Sequence, residues 1–206
     1  MSADTASATP PAPAKTGTGG GLRERKKERT RRTIRTEAFR LFREQGYTET
    51  TVEQIAAAAD ISPSTFFRYF PSKEQVALAD DLDPMMIAAF EAQPPELSVL
   101  AAFRQATIET FAAMSQEERD FEKQRVEILY SVPELRGAVA MELERSVGLI
   151  ADLVAKRTGR DPHEFEVRVF AGALSGAMIG FVDQAGSFGS EQILRVMEFL
   201  EAGMPL

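Results

Sequence analysis

TTVEQIAAAADISPSTFFRYFPSK, residues 50–73, decides the fold. Phe66, Phe67, Tyr69 and Phe70 lie within five residues, between Pro63 and Pro71, with Arg68 among them. A buried strand would not accept the arginine, and a plain core helix would be longer. On a helix, positions three and four apart share a face. Phe66 and Phe70 then point inward, against Leu41, Val52 and Ile55, while Ser64, Phe67 and Arg68 share the other side. Ser62 caps this helix, and Pro63 takes its first position, where the missing N–H costs nothing. Just upstream, Thr50 with Glu53, or Thr51 with Gln54, forms a capping box for VEQIAAAA. Before that, Ile34, Ala38, Leu41 and Phe42 recur at helical spacing from about Thr30 to Gln45, and Gly46 closes the helix. Residues 30–72 thus hold three short helices, the last two joined by a tight connection at Asp60 and Ile61, which is a helix-turn-helix.

The whole chain has 206 residues, enough for one or two domains with a sizeable core. It has no cysteine, which excludes disulfides, thiolate-held zinc and thiol catalysis and fits a reducing cytoplasm. The single histidine, His163, argues against histidine-rich metal centres and acid–base triads, so neither metal nor cofactor is expected. No basic segment followed by an apolar one marks an export signal. The longest uncharged apolar run, VFAGALSGAMIGFV at 169–182, is too short to span a bilayer.

Net charge is −7, but its distribution is uneven: residues 22–73 carry +5 and residues 74–206 carry −12. Residues 1–21 are Ala, Pro, Thr, Gly and Ser with almost no large apolar side chains, and read as a disordered tail. The expected division is a tail (1–21), a basic helix-turn-helix module (22–73) and an acidic module (74–206).

An outward phenylalanine on so short a helix needs a reason. Contact with thymine methyls and base edges in a major groove supplies one. Arg68, Tyr69, Lys73 and Thr51 are placed for phosphates, and the basic run from Arg23 to Arg35, with Arg29 and Arg32 in it, for further backbone contact that makes binding salt-dependent. Here a resemblance enters. RTEAFRLFREQGYTETTVEQIAAAADISPSTFFRYFPSKEQV resembles the N-terminal domain of TetR-family transcriptional regulators. The shared features are the Gly-aromatic pair after the first helix, the Thr-Thr before E-x-I-A-x-x-A, and the aromatic-x-Tyr-Phe-x-x-Lys close. The resemblance implies a homodimer whose third helix enters the major groove, with Pro63, Ser64 and Phe67 near bases and Thr51, Thr65, Arg68, Tyr69 and Lys73 on the backbone.

Downstream no stretch alternates with period two, and helices are expected near 73–92, 97–114, 116–130, 134–158, 162–186 and 190–202, the first broken near Asp83-Pro84 and the third started by Ser115 with Glu118. The fold class is therefore all-α: a three-helix DNA-binding domain followed by a helical bundle for ligand binding and dimerisation. Met85, Met86, Phe90, Phe103, Phe111, Met114, Phe121, Tyr130, Met141, Met178 and Phe181 supply surplus apolar volume, read either as core or as an adaptable pocket. The family resemblance implies that such a pocket binds a small inducer. Gly172, Gly176 and Gly180, four apart, permit close helix crossing, either within the subunit or at a dimer interface formed by 162–186 and 190–202. DDLDP (80–84), SVPELRG (131–137) and RTGRDPHEFEVRVFAGALSGA (157–177) are similar to a TetR branch described as binding acyl-CoA-like ligands. That implies an acyl chain among the Phe and Met side chains and a head group near Arg125, Arg136 or Arg104. The expected function is a ligand-responsive repressor in the cytoplasm, acting on a double-stranded operator. The alternatives are a regulator without an effector, an activator, or an enzyme, for which no pairing of catalytic groups speaks.

Overall fold

Helix ends set the frame. In the computed structural model, which describes residues 19–185 and 189–206, α1 (Gly19–Gln45) stops where Gly46 adopts a φ of 89° and donates to the Phe42 carbonyl (3.0 Å). A left-handed residue here is what glycine accepts without strain. The helix begins well before Thr30. Its first turns have no apolar face, so periodicity does not reveal them, but Arg, Lys and Glu are good helix formers. Of the tail expected over 1–21, residues 1–18 lie outside the described residues.

Helix α2 (Val52–Ala58) starts at Thr51, and the structure selects Thr51 with Gln54 as the capping box. Thr50 is buried instead, its hydroxyl donating to the Gly46 carbonyl (2.8 Å). The turn to α3 (Pro63–Tyr69) is a Schellman closure: Ile61 N–H reaches the Ala56 carbonyl (2.9 Å) and Asp60 N–H the Ala57 carbonyl (3.2 Å), with Asp60 at φ 54°. Ser62 accepts from Thr65 N–H (3.1 Å) and caps α3.

Helix α4 (Lys73–Leu78), capped by Ser72, ends at Ala79, and α5 (Leu82–Glu91) follows after Asp80 and Asp81. The break therefore lies upstream of Asp83-Pro84. Pro84 sits in the first turn of α5, where backbone N–H groups have no helical partner to lose, so it does not interrupt the helix. Then come α6 (Val99–Ala113), α7 (Gln116–Ser131) with the expected Ser115–Glu118 capping box, a 3-10 turn (Pro133–Leu135), α8 (Arg136–Thr158), α9 (Phe165–Ala185) and α10 (Ser190–Glu201). Every regular element among the described residues is helical, and no helix there is long and apolar enough to cross a membrane.

Two cores result. One joins α1 to α4 through Ile34, Phe39, Phe42, Ile55, Phe66, Phe70 and Val76, and reaches Leu129 on α7 and Leu135 in the turn after it. The other lies among α5, α6, α8, α9 and α10, around Phe90, Phe103, Leu153 and Leu174. Met141, expected among the apolar interior residues, is instead 75% exposed on α8. Phe66 has no exposure, so Phe66→Ala is expected to lower unfolding free energy by about 3–5 kcal/mol in urea titrations. Phe67→Ala, on the wet side of the same helix, is expected to stay within about 0.5 kcal/mol.

Candidate nucleic-acid interface

The seven residues of α3 divide into two faces. Phe66 and Phe70 are buried in the first core, as their spacing requires. Pro63, Ser64, Phe67 and Arg68 are exposed, Phe67 to 52%. The Phe67 ring is not adrift, since its edge meets Phe66 (centroids 5.6 Å apart, planes at 88°), and the Arg68 guanidinium lies over Tyr69 at 5.5 Å. The outward surface is thus a ring and a cation held by their neighbours, beside the hydroxyls of Ser64 and Thr65. Thr51 stands exposed at the start of α2, where its oxygen accepts from Gln54 N–H (3.2 Å).

Two expected contacts have other work. All three N–H donors of Lys73 are taken, by the carbonyls of Tyr47 (2.8 Å), Thr48 (3.2 Å) and Thr50 (2.9 Å). Lys73 ties the loop after α1 to the start of α4, with its ammonium 4.4 Å from the Tyr47 ring centre. Burial, then Glu74 and Glu134, push the Tyr47 phenol up to about 12. Arg32 faces Glu118 at the start of α7 (3.9 Å). Arg29 remains exposed on α1.

Near this domain's junction with the second core lies a partly buried cluster of charges. Arg35, almost fully buried, pairs with Asp81, donates to the Ala79 carbonyl (2.7 Å) and lies 3.5 Å from Glu122. Arg31 joins it on Asp81 (2.6 Å). Arg125, also buried, donates to Glu122 (2.5 Å) and Asp80 (2.6 Å). Burial lowers the Arg35 guanidinium to about 10 despite Glu122. Burial acts the same way on Arg125, but Asp80 and Glu122 outweigh it and hold that group above its ordinary range. Three cations and three carboxylates therefore join α1, the α4–α5 break and α7.

The cluster adjoins a cavity. Its larger lobe, about 270 Å³, lies between α5, α6, α8, α9 and α10, and Met86, Phe103 and Met178 line it as expected. A smaller lobe, about 220 Å³, is lined by Arg125, Tyr130 and again Met178. Other expected lining residues are elsewhere. Phe90 is buried behind the wall, stacked on Phe103 at 4.1 Å. Phe111 is buried in the second core and lines neither lobe. Phe121 packs against Phe39 (4.9 Å) and under Arg35 (4.8 Å), beside a cleft between α1 and α7. The Phe181 side chain lies outside the described residues. Arg125, expected to meet a ligand head group, is engaged by two carboxylates; Arg104 and Arg136 are exposed.

A methyl group built on Gly172, Gly176 or Gly180 would meet nothing within 4 Å. These glycines therefore do not serve a close crossing inside the chain. They continue a stripe on α9 that starts with exposed Phe165 and Val169.

Comparison with known proteins agrees with this architecture. Residues 34–79 match the family of bacterial regulatory proteins of the tetR type, and residues 97–205 match the MftR C-terminal domain. The HTH-type transcriptional regulator TcmR of Streptomyces glaucescens is 39% identical over 169 residues, covering 77% of this chain and 73% of its own. The chain belongs to the TetR family. It is a DNA-binding transcriptional regulator. Among the described residues, no group of three or more His, Cys, Asp or Glu residues is placed to hold a metal. Two solved structures share the fold. A TetR-family regulator from Syntrophomonas wolfei has a TM-score of 0.59 at 17% identity, over 86% of this chain and 95% of that one. The FadR repressor of Thermus thermophilus, solved with lauroyl-CoA, has a TM-score of 0.51 at 23% identity, over 85% and 95%.

The sequence pattern of this TetR-family regulator contains a signal for the charge cluster. Arg31, Arg35, Ala38 and Phe42 follow one another at spacings of four, three and four, so two cations lie on the core stripe of α1. Their partners are some 45 to 90 residues away and carry no local mark. Removing one member should expose the others' desolvation. Arg125→Met is expected to lower stability by about 3–5 kcal/mol in chemical denaturation, because Glu122 stays buried and Asp80 half-buried without it. Lys73→Met should cost about 1.5–3 kcal/mol, through the loss of charged hydrogen bonds.

Proposed function

We propose that this regulator is a homodimeric, cytoplasmic repressor that leaves a near-palindromic operator when an apolar small molecule fills the cavity. One observation supports this above others: Asp80 and Arg125 belong both to the cavity wall and to the charge cluster that holds α1. A ligand that displaces either group changes how firmly the DNA-binding domain is held. It shifts the balance between DNA-bound and released conformers only by its unequal affinity for the two.

On DNA, Pro63, Ser64 and Phe67 would approach base edges. Thr51, Thr65, Arg68 and Tyr69 would hold phosphates, with Arg29 adding charge further along α1 and Lys73 supporting the loop from behind. Two copies of α3 would enter successive major grooves about 34 Å apart. The α9 stripe of Phe165, Val169, Gly172, Gly176 and Gly180, with exposed Phe199 on α10, is the apolar face we assign to the partner subunit. The cavity walls suit an acyl chain, and the FadR structure with lauroyl-CoA is an instance of this fold holding one.

The direct test is selection of binding sites from random DNA with the purified protein. A two-fold symmetric sequence should be enriched, and the lack of any enriched sequence would overturn the proposal. On that operator, Arg68→Ala should flatten the slope of log affinity against log salt by about one unit. Gly176→Arg should yield monomers by sedimentation and reduce operator affinity by about 10²-fold, as avidity is lost.

A further inference from the structure

The cavity's two lobes meet at Asp80, Asp83, Ser146 and Met178, which line both. The charged groups on the walls are Asp80, Asp83, Glu142 and Arg125, three carboxylates to one guanidinium. Arg125 is already balanced by Asp80 and Glu122. Arg145 touches Asp83 (3.2 Å) and Glu142 (2.8 Å) from the solvent side, with two-thirds of its side chain exposed. In the wall of the larger lobe, the Ser175 hydroxyl is buried with no hydrogen-bond partner. Thr107 spends its proton on the Phe103 carbonyl (2.9 Å), so it offers the cavity only lone pairs. Besides Arg125, the donors on these walls are the hydroxyls of Ser146, Ser175 and Tyr130, each of which also accepts, while every other charged group there is a carboxylate.

We propose that the cavity takes an apolar ligand whose polar groups donate hydrogen bonds, as hydroxyls or an ammonium, and disfavours one with a carboxylate or phosphate head. This rests on the cavity being the effector site. It also narrows the acyl-CoA expectation: the walls accept the chain, but their charges repel the head. One donor of the ligand meets the Asp80–Asp83 pair and the other end meets Ser175 and Thr107. Burial, and after it the nearby Asp80, hold the Asp83 carboxyl above its usual range, so a donor or cation placed there relieves an existing penalty. The position also explains how binding is felt elsewhere. One Asp80 oxygen holds Arg125 (2.6 Å) and the other accepts the Leu82 N–H (2.8 Å) that opens α5. A ligand drawing on Asp80 competes with the charge cluster for the same carboxylate.

Three probes of equal chain length separate head-group chemistry from chain burial: decanol, decylamine and decanoate, each below its aggregation threshold, titrated calorimetrically into the full-length protein. Decanol and decylamine should bind, with decanoate at least tenfold weaker. Asp83→Asn should narrow the gap between decylamine and decanoate by about tenfold. Ser175→Ala should weaken the terminal diol of the same chain length severalfold and decanol hardly at all, while leaving the melting temperature nearly unchanged. Met178→Trp, which fills the junction of the lobes, should abolish binding of the two ligands that bind. Decanoate binding as tightly as the other two would overturn the donor rule and leave the effector cavity standing. Failure of all three probes to bind, or binding indifferent to Met178→Trp, would overturn the effector-cavity reading and this inference with it.

Discussion

Three guanidinium groups and three carboxylates, packed where α1 passes the α4–α5 break and α7, are the constraint on which the rest depends. Breaking a buried ion pair is costly because the abandoned partner stays desolvated, although the intact pair gains little over an apolar contact. Such a cluster therefore adds less to stability than to definition. It allows α1 one orientation relative to the second core, in which Arg31 and Arg35 reach Asp81 while Arg125 reaches Asp80. A purely apolar joint would tolerate sliding. This one resists sliding, because any shift would separate a guanidinium from a desolvated carboxylate.

The same economy appears at the ends of helices. Lys73 gathers the carbonyls after α1, Arg35 takes that of Ala79 at the end of α4, Arg157 those of Gln93, Pro94 and Leu97 beyond α5, and Arg119 those of Phe111 and Met114 at the end of α6. Most of these carbonyls lie at or just past the C-terminus of a helix, where partial negative charge accumulates. Positive charge that looks free in the sequence is thus partly spent inside the fold. On the outward face of α3, Arg68 keeps its guanidinium exposed, over the Tyr69 ring.

What the sequence revealed was local. Gly46, Ser62 with Pro63, and Ser115 with Glu118 act within four residues and appear where the pattern put them, and of the two capping boxes open before α2 the structure takes Thr51 with Gln54. The two faces of α3 were legible for the same reason. Periodicity names a helix face but not its neighbour, so Phe90, Phe111 and Phe121 could not be told apart from Met86, Phe103 and Met178 as cavity residues. The start of α1 was hidden because a helix without an apolar stripe has no period. The charge cluster was hidden because its members are brought together only by tertiary folding.

The length of α1 has a mechanical meaning. Helix α1 runs without interruption from Gly19 to Gln45, past the charge cluster at Arg35. At 1.5 Å per residue, its basic segment projects about 24 Å beyond that anchor. A tilt of only about 10° at the anchor would sweep the far tip through about 4 Å, more than the reach of a hydrogen bond. A disturbance at Asp80 or Arg125 too slight to alter either core would then still carry the outlying arginines and lysines out of register with a phosphate backbone.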